Sequence, residues 1–273
     1  MLKSPKIKCI YIIGIILLFG GEFAFAQYYR VRERVQHLQN FDNKVLHYGY
    51  FFGFNEFGFK FEYVNNYSIP YNSALAQLTP SLNGKGYPNV ELAKNLGFNV
   101  GLIGDLRINR FLNLRLEPGL YYSQRDLLYP NDSPAWFREF SGDYTTPNDG
   151  LREVKSTYIH IPLLIKFSGE RINNWKPYLV GGVSTSFNLS SNQKNNDDNF
   201  NNVFRLTSQT FNYEIGFGID FYLVYFKFSP SIRGIFSIQN ELIPDNLTNG
   251  RSPWTSNITH LSTQGVVINL TFE

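Results

Sequence analysis

Between positions 211 and 238 the chain reads FNYEIGFGIDFYLVYFKFSPSIRGIFSI, and apolar and polar residues alternate one for one. Phe211, Tyr213, Ile215, Phe217, Ile219 and Phe221 share one face, with Asn212, Glu214, Gly216, Gly218 and Asp220 on the other. A period of two with unlike faces predicts a strand. After a tight turn near Tyr222, Leu223 and Val224, the alternation resumes in a second strand. There Phe226, Phe228, Pro230, Ile232, Phe236 and Ile238 lie opposite Lys227, Ser229, Ser231 and Arg233. Two settings suit such a hairpin. In a soluble sandwich the charged face meets water. In a transmembrane barrel the apolar face meets lipid and the charged face lines the lumen.

The same period predicts six further strands. From Val45, Leu46, Tyr48, Tyr50, Phe52 and Phe54 share a face. After Asn55 the phase inverts: Phe57, Phe59, Phe61 and Tyr63 are apolar, and Glu56, Lys60 and Glu62 are polar. An inversion inside one run predicts a β-bulge, or alternatively a hairpin. Strands follow at about 97–109, 111–128, 153–168 and 175–189, then the hairpin at 205–222 and 224–240, and a last strand at 261–272. In the last, Val266, Ile268, Leu270 and Phe272 face outward, an arrangement that resembles the terminal insertion signal of bacterial outer-membrane proteins. The links at 64–96, 130–152, 190–204 and 241–260 are long and polar or rich in Pro and Gly, and the three between them are short. Strict alternation of long and short links predicts an all-β fold: an eight-stranded antiparallel transmembrane β-barrel with short periplasmic turns and four long external loops. Most predicted strands exceed the ~9–11 residues that a tilted strand needs to cross a bilayer.

Composition sharpens this picture. Aromatic residues make up 17% of the chain, with 25 Phe and 18 Tyr, more than a soluble core requires. The formal charge of +3 carries no bias toward nucleic acid. The one cysteine, Cys9, lies in a stretch that reads as a secretory signal peptide, residues 1–26. Lys3, Lys6 and Lys8 form its positive region, an apolar run follows from Ile10 to Phe19, and Ala24-Phe25-Ala26 precedes the cleavage point. The alternative is an uncleaved anchor, but the run is short for a span of ~20 residues. With the leader removed, no disulfide and no cysteine metal site is expected. Residues 27–44 are polar and basic and lack a clear period. They read as a periplasmic N-terminal arm before the barrel domain of residues 45–273. Arg30, Arg32 and Arg34 make that arm a candidate contact for periplasmic partners, against the alternative of a solvated lead-in.

In this frame the lumen holds Glu56, Lys60, Glu62, Asp105, Arg107, Arg115, Glu117, Arg125, His160, Lys166, Glu214, Asp220, Lys227 and Arg233. Both signs are interleaved. An eight-stranded barrel is just wide enough for side chains to fill, so a core of compensating ion pairs is expected rather than a conducting pore. Catalytic signals are weak. The four histidines are His37, His47, His160 and His260, and Asp245 falls in the same long link as His260, but no spacing fixes a catalytic geometry. The acidic and amide cluster Asn195-Asn196-Asp197-Asp198-Asn199 offers oxygen ligands for calcium, yet lacks the glycine and distal glutamate of an EF-hand loop. No phosphate loop, dinucleotide fingerprint or zinc spacing is present. No catalytic residue, cofactor, metal or small-molecule substrate is expected.

Five stretches carry a family resemblance: LQNFDNKVLHYGYFFGFN from Leu38, GFNVGLIGDLRINRFLNLRLEPGLYYSQR from Gly97, STYIHIPLLIKFSGERINNWKPYLVGG from Ser156, YEIGFGIDFYLVYFKFSPSIRGIFSIQNEL from Tyr213, and VVINLTFE from Val266. In these, and most specifically in the EPGL and FSPSIRG elements, the chain resembles the PorT/SprT family of outer-membrane proteins of Bacteroidota, linked to the type IX secretion system. The resemblance implies a non-enzymatic role in protein secretion, and in gliding motility where the species glides. It also implies outer-membrane lipid and other secretion-system proteins as partners. An adhesive or structural barrel, or a small lipid- or protein-modifying outer-membrane enzyme, is the alternative.

Overall fold

A computed structural model describes residues 35–63, 90–128, 151–193, 204–244, 255 and 258–273. The predicted signal peptide, Arg30, Arg32, Arg34, Asp245 and the 195–199 cluster lie outside the described residues. Ten strands form one antiparallel sheet: β1 (Leu46–Tyr63), β2 (Glu91–Lys94), β3 (Leu96–Arg107), β4 (Leu112–Leu116), β5 (Gly119–Leu128), β6 (Leu151–Ser168), β7 (Trp175–Asn188), β8 (Gln209–Tyr222), β9 (Lys227–Ser237) and β10 (Ile258–Phe272). β2 and β3 are parted only by Asn95, and β4 and β5 only by Glu117 and Pro118, so the ten segments make eight staves. The sheet closes on itself because β1 pairs with β10 on one side and with β3 on the other. Closure leaves no open sheet edge, as backbone in a bilayer requires.

The outer surface follows from the alternation. Phe54, Phe98, Phe187, Phe211 and Tyr213 project outward toward one end, and Tyr48, Phe167, Phe221 and Phe226 toward the other. Between them lie aliphatic residues such as Leu102, 65% exposed, and Ile215, 66% exposed. An apolar belt between two aromatic girdles is the lipid face of an outer-membrane barrel. The short turns at 108–111, 169–174 and 223–226 mark the periplasmic end.

The structure corrects the sequence reading of β1. No bulge and no hairpin interrupts it at Asn55: the pairs Asn55↔Val267, Glu56↔Val266 and Phe57↔Gly265 keep one register. Glu56, Lys60 and Glu62 therefore face outward, not into the lumen, and Phe57 and Phe59 point in and are buried. The polarity inverts because the surroundings do. Below Asn55 the outward face meets lipid. Above it the outward face meets water, and the barrel interior becomes apolar. The same switch occurs on β6, where Glu153 and Lys155 face out and Val154 faces in. Smaller corrections concern element ends. β2 begins at Glu91, inside the stretch expected to be a link, and β9 begins at Lys227, so Val224 to Phe226 belong to the turn. The supposed polar links at 190–204 and 241–260 also contribute apolar core residues, among them Phe204 and Leu242.

Candidate functional site

The lumen is filled in layers. Nearest the periplasmic end lies a buried ion-pair network. Arg115 sends Nη2 to Asp105 Oδ2 at 2.7 Å and to Glu273 Oε1 at 3.0 Å, and its Nη1 lies 3.3 Å from Glu117 Oε1. Lys227 Nζ reaches Glu273 Oε2 at 2.7 Å, and Lys166 Nζ reaches Asp220 Oδ2 at 2.6 Å. Ser229 Oγ donates to the second Asp220 oxygen at 2.7 Å, and Asn113 donates to Asp105. The ring of Tyr178 lies 4.0 Å from Lys166 Nζ, a cation–π contact. Alternation places Asp105, Arg115, Lys166, Asp220 and Lys227 at inward positions of their strands, and Glu117 and Glu273 lie just past the ends of β4 and β10. Burying so many ions is costly unless each has a partner, and here partners come from other staves, adjacent for Arg115–Asp105 and Lys227–Glu273 and non-adjacent for Arg115–Glu273 and Lys166–Asp220.

At mid-lumen Arg233 Nη1 lies 2.7 Å from Glu117 Oε2 and 3.6 Å from Glu214 Oε2. His160 bridges two staves, with Nδ1 2.8 Å from Ser186 Oγ and Nε2 2.8 Å from Glu214 Oε1. A serine, a histidine and a carboxylate in series are the parts of a nucleophilic relay. Here the adjoining hollow is only about 20 Å³, room for about one water. That leaves no place for an acyl substrate beside Ser186, and the bonds tie β6, β7 and β8 together. Phe51, Phe57, Ile103, Tyr121, Tyr158, Ile235 and Val267 pack around this polar group.

Toward the external end the lumen is mainly apolar, although Arg152, Arg205 and Glu241 are also buried there. Phe59, Val90, Leu127, Val154, Phe204, Leu206, Leu242, Ile258 and Leu261 form one buried cluster, and a bridge between Leu206 and Leu242 draws two external segments into it. Arg125 is fully buried beneath this plug, with its guanidinium 4.2 Å from the Phe59 ring centroid. It donates to Thr263 Oγ1, Ser156 Oγ and Tyr158 OH at 3.1, 2.9 and 2.6 Å. Thr263 Oγ1 in turn donates to Glu241 Oε2 at 2.7 Å, so a hydroxyl links the cation to its carboxylate.

The periplasmic mouth is crossed by the segment from His37 to Lys44, with a single 3₁₀ turn at Phe41–Asn43. The Phe41 ring stacks on His47 with centroids 4.2 Å apart, and Tyr222 OH donates to Asp42 Oδ1 at 2.7 Å. Arg171 donates to the carbonyls of His37 and Leu38 and lies over the Tyr222 ring. This part of the presumed arm is thus a strap packed on the barrel. Behind it opens a cavity of about 330 Å³.

Of the charges placed in the lumen from sequence, Asp105, Arg115, Glu117, His160, Lys166, Glu214, Asp220, Lys227 and Arg233 meet in the two lower layers, and Arg125 lies above them. Arg107 sits apart at the mouth cavity, and Glu56, Lys60 and Glu62 are outside. Sequence reasoning missed Glu273, Asp42, Glu241 and the inward tyrosines Tyr121, Tyr178 and Tyr222. The inward phase of their strands was the available signal for the tyrosines. None existed for Asp42, whose partners Arg171, Lys176 and Tyr222 are far away in sequence.

The chain aligns with three solved structures at low scores. Neisserial surface protein A aligns with a TM-score of 0.39 and 8% identity, over 84% of this chain and 98% of its own. Ail of Yersinia pestis, solved with the heparin analogue sucrose octasulfate, gives 0.33 and 11% over 82% and 96%. AlkL, solved by solid-state NMR in lipid bilayers, gives 0.39 and 10% over 89% and 93%. No curated protein matches the sequence. The sequence profile described as the outer membrane protein beta-barrel domain matches residues 25–242. With a closed eight-stave ring, a lipid belt and this match over most of its length, the chain belongs to the outer-membrane protein β-barrel domain family.

Proposed function

We propose that this chain is a sealed, non-enzymatic outer-membrane barrel that serves protein secretion through the type IX system as an accessory or assembly component. The observation that carries the first half is the filling of the lumen, by ion pairs below, His160 and Arg233 at the middle and an apolar plug above. A barrel so filled does not pass cargo, which leaves its surfaces to act. The second half rests on the PorT/SprT resemblance of the five stretches named above. Export of the chain itself uses the leader 1–26, cleaved after Ala26.

The test is a clean deletion in the source bacterium, followed by proteomics of medium, cell surface and periplasm. Loss of secreted cargo with precursors held in the periplasm, restored by the gene in trans, is the expected result. Unchanged export rejects the secretion role.

A second reading is favoured by one observation. β1 and β6 rise beyond the lipid belt and carry a charged collar of Glu56, Lys60, Glu62, Glu153 and Lys155 around an apolar plug. Such a raised, rigid rim suits presentation of external segments to a ligand outside the cell. Deletion of residues 129–150 that abolishes surface attachment, with secretion intact, distinguishes this adhesive role from the first.

A further inference from the structure

The mouth cavity has a chemistry that neither the sealed lumen nor the secretion reading uses. Six cationic side chains line it: Arg107, Arg110, Lys166, Arg171, Lys176 and Lys227. Against them stand three carboxylates, Asp42, Glu170 and Asp220. The floor is already compensated, since Lys166 is bound to Asp220 and Lys227 to Glu273. Arg110 is held on the rim by Glu170 at 3.0 Å. The walls are not matched in this way. Arg171 and Lys176 share one carboxylate, Asp42, at 3.6 and 3.8 Å, beyond the range of a strong charge-assisted bond. Arg107 lies on the lumen face of β3 and makes no ion pair among the described residues.

We propose that this periplasmic cavity binds a small oxyanion of the phosphate class, with Arg107 and Lys176 as its principal charge donors. A guanidinium fork and an ammonium facing one hollow suit tetrahedral oxyanions, because the fork fixes two oxygens and the ammonium supplies a point charge. The volume, about 330 Å³, is at the lower end of the range for small-molecule sites and fits a phosphate ester or a pyrophosphate. The floor is too well paired to compete. Asp42 lines the cavity too, but its Oδ1 accepts from Tyr222 OH at 2.7 Å and its contacts to Arg171 and Lys176 are longer, at 3.6 and 3.8 Å. The ligand's phosphate can belong to a soluble ester or to the headgroup of an anionic lipid at the inner leaflet; the recognition chemistry is the same.

The experiment uses the mature full chain in detergent micelles, titrated with inorganic pyrophosphate by calorimetry at constant ionic strength. Saturable binding of one pyrophosphate per barrel is expected. Arg107→Ser and Lys176→Ser are each expected to weaken it about tenfold or more, the loss of one charge-assisted bond. Lys155→Ser on the outer collar is expected to leave it unchanged. Arg107 has no ion pair among the described residues, so its variant keeps the lumen network, and heat-modifiable gel mobility checks that each variant is folded. Should Lys176→Ser unfold, Arg107→Gln alone carries the comparison. Heat no greater than that of matched chloride, or equal affinity in the Arg107 variants, overturns the proposal. Repeating the titration in nanodiscs identifies the source. Weaker binding in phosphatidylglycerol than in phosphatidylcholine discs supports the site with a lipid headgroup as its occupant, and equal saturable binding supports it with a soluble one.

Discussion

Asn99 Nδ2 donates to Asn269 Oδ1 at 2.6 Å directly over Gly53, so side chains of β3 and β10 meet across the strand between them. β1 is the stave that closes the ring, and at this level it carries no side chain that could part its neighbours. A Cβ at Gly53 would lie 2.6 Å from Asn269 Oδ1 and 2.9 Å from Asn99 Nδ2, and would also collide with the Ile268 carbonyl. Gly53→Ala is therefore expected to destabilise the barrel by about 2 kcal/mol or more, through a lost buried hydrogen bond and a backbone clash. Gly104→Ala on β3 meets nothing within 4 Å and is expected to shift stability by less than ~0.5 kcal/mol. Urea unfolding in micelles compares the two, and equal effects would show that closure does not depend on this crossing.

Lys166 and Asp220 test how the lumen tolerates its charge. Both side chains are buried and 2.6 Å apart, on β6 and β8. Removing one partner strands the other in a low-dielectric interior. Lys166→Met is expected to cost about 3–5 kcal/mol. The double variant Lys166→Met/Asp220→Leu is expected to cost less than the single one, since no orphan charge remains. A double-mutant cycle with additive terms would mean that the two groups are independently solvated.

The outward collar predicts a labelling pattern. Cys9 is the one cysteine of the chain, so in a Cys9→Ser background single cysteines report their surroundings cleanly. Lys60→Cys and Lys155→Cys are expected to react with a membrane-impermeant maleimide on intact cells. Phe54→Cys, in the lipid belt, and Phe59→Cys, in the apolar plug, are expected to stay unlabelled. Reaction at position 59 with protection at 60 would restore the bulge that the sequence suggests.

That one strand shows how far the sequence is legible and where it stops. Alternation along 211–222 and 227–237 fixes the faces of β8 and β9, because one face meets lipid throughout and the other meets charge. β1 passes through two media, so the alternation is kept while its polarity reverses at Asn55. A rule that equates polar with inward must then misplace Glu56, Lys60 and Glu62. The eight staves and their long and short links are legible because bilayer thickness sets strand length and turn direction. The strap is not, since residues 37–44 lack a period and are held by Arg171, Lys176 and Tyr222 from distant turns. The pairing of His160 with Glu214 is equally hidden, because it depends on stave order and vertical register.

A lipid-face substitution measures the membrane directly. Ile215 lies midway along β8 on the outer face, with Phe211 and Tyr213 on one side and Phe217 and Phe221 on the other. Ile215→Arg is expected to cost about 2–4 kcal/mol, the penalty for a cation near the bilayer midplane. Lys60→Arg, above the belt, is expected to be neutral within ~0.5 kcal/mol. Unfolding in bilayers gives both values, and a small cost at Ile215 would move the belt away from β8.

The strap and the basic run before it separate two roles for the N-terminal region. Asp42 anchors the strap through Tyr222 and, more distantly, Arg171 and Lys176. Asp42→Ala is expected to loosen it, seen as faster tryptic cleavage at Lys44 with the barrel still heat-modifiable. Arg30, Arg32 and Arg34 precede the strap in sequence, and three alternating cations suit an electrostatic contact with a periplasmic partner. Replacing all three with Ser is expected to impair export of secreted cargo while barrel insertion and Lys44 protection remain as in the parent. Normal export by the triple variant, with export lost in Asp42→Ala, would transfer the partner contact from the arm to the strapped mouth.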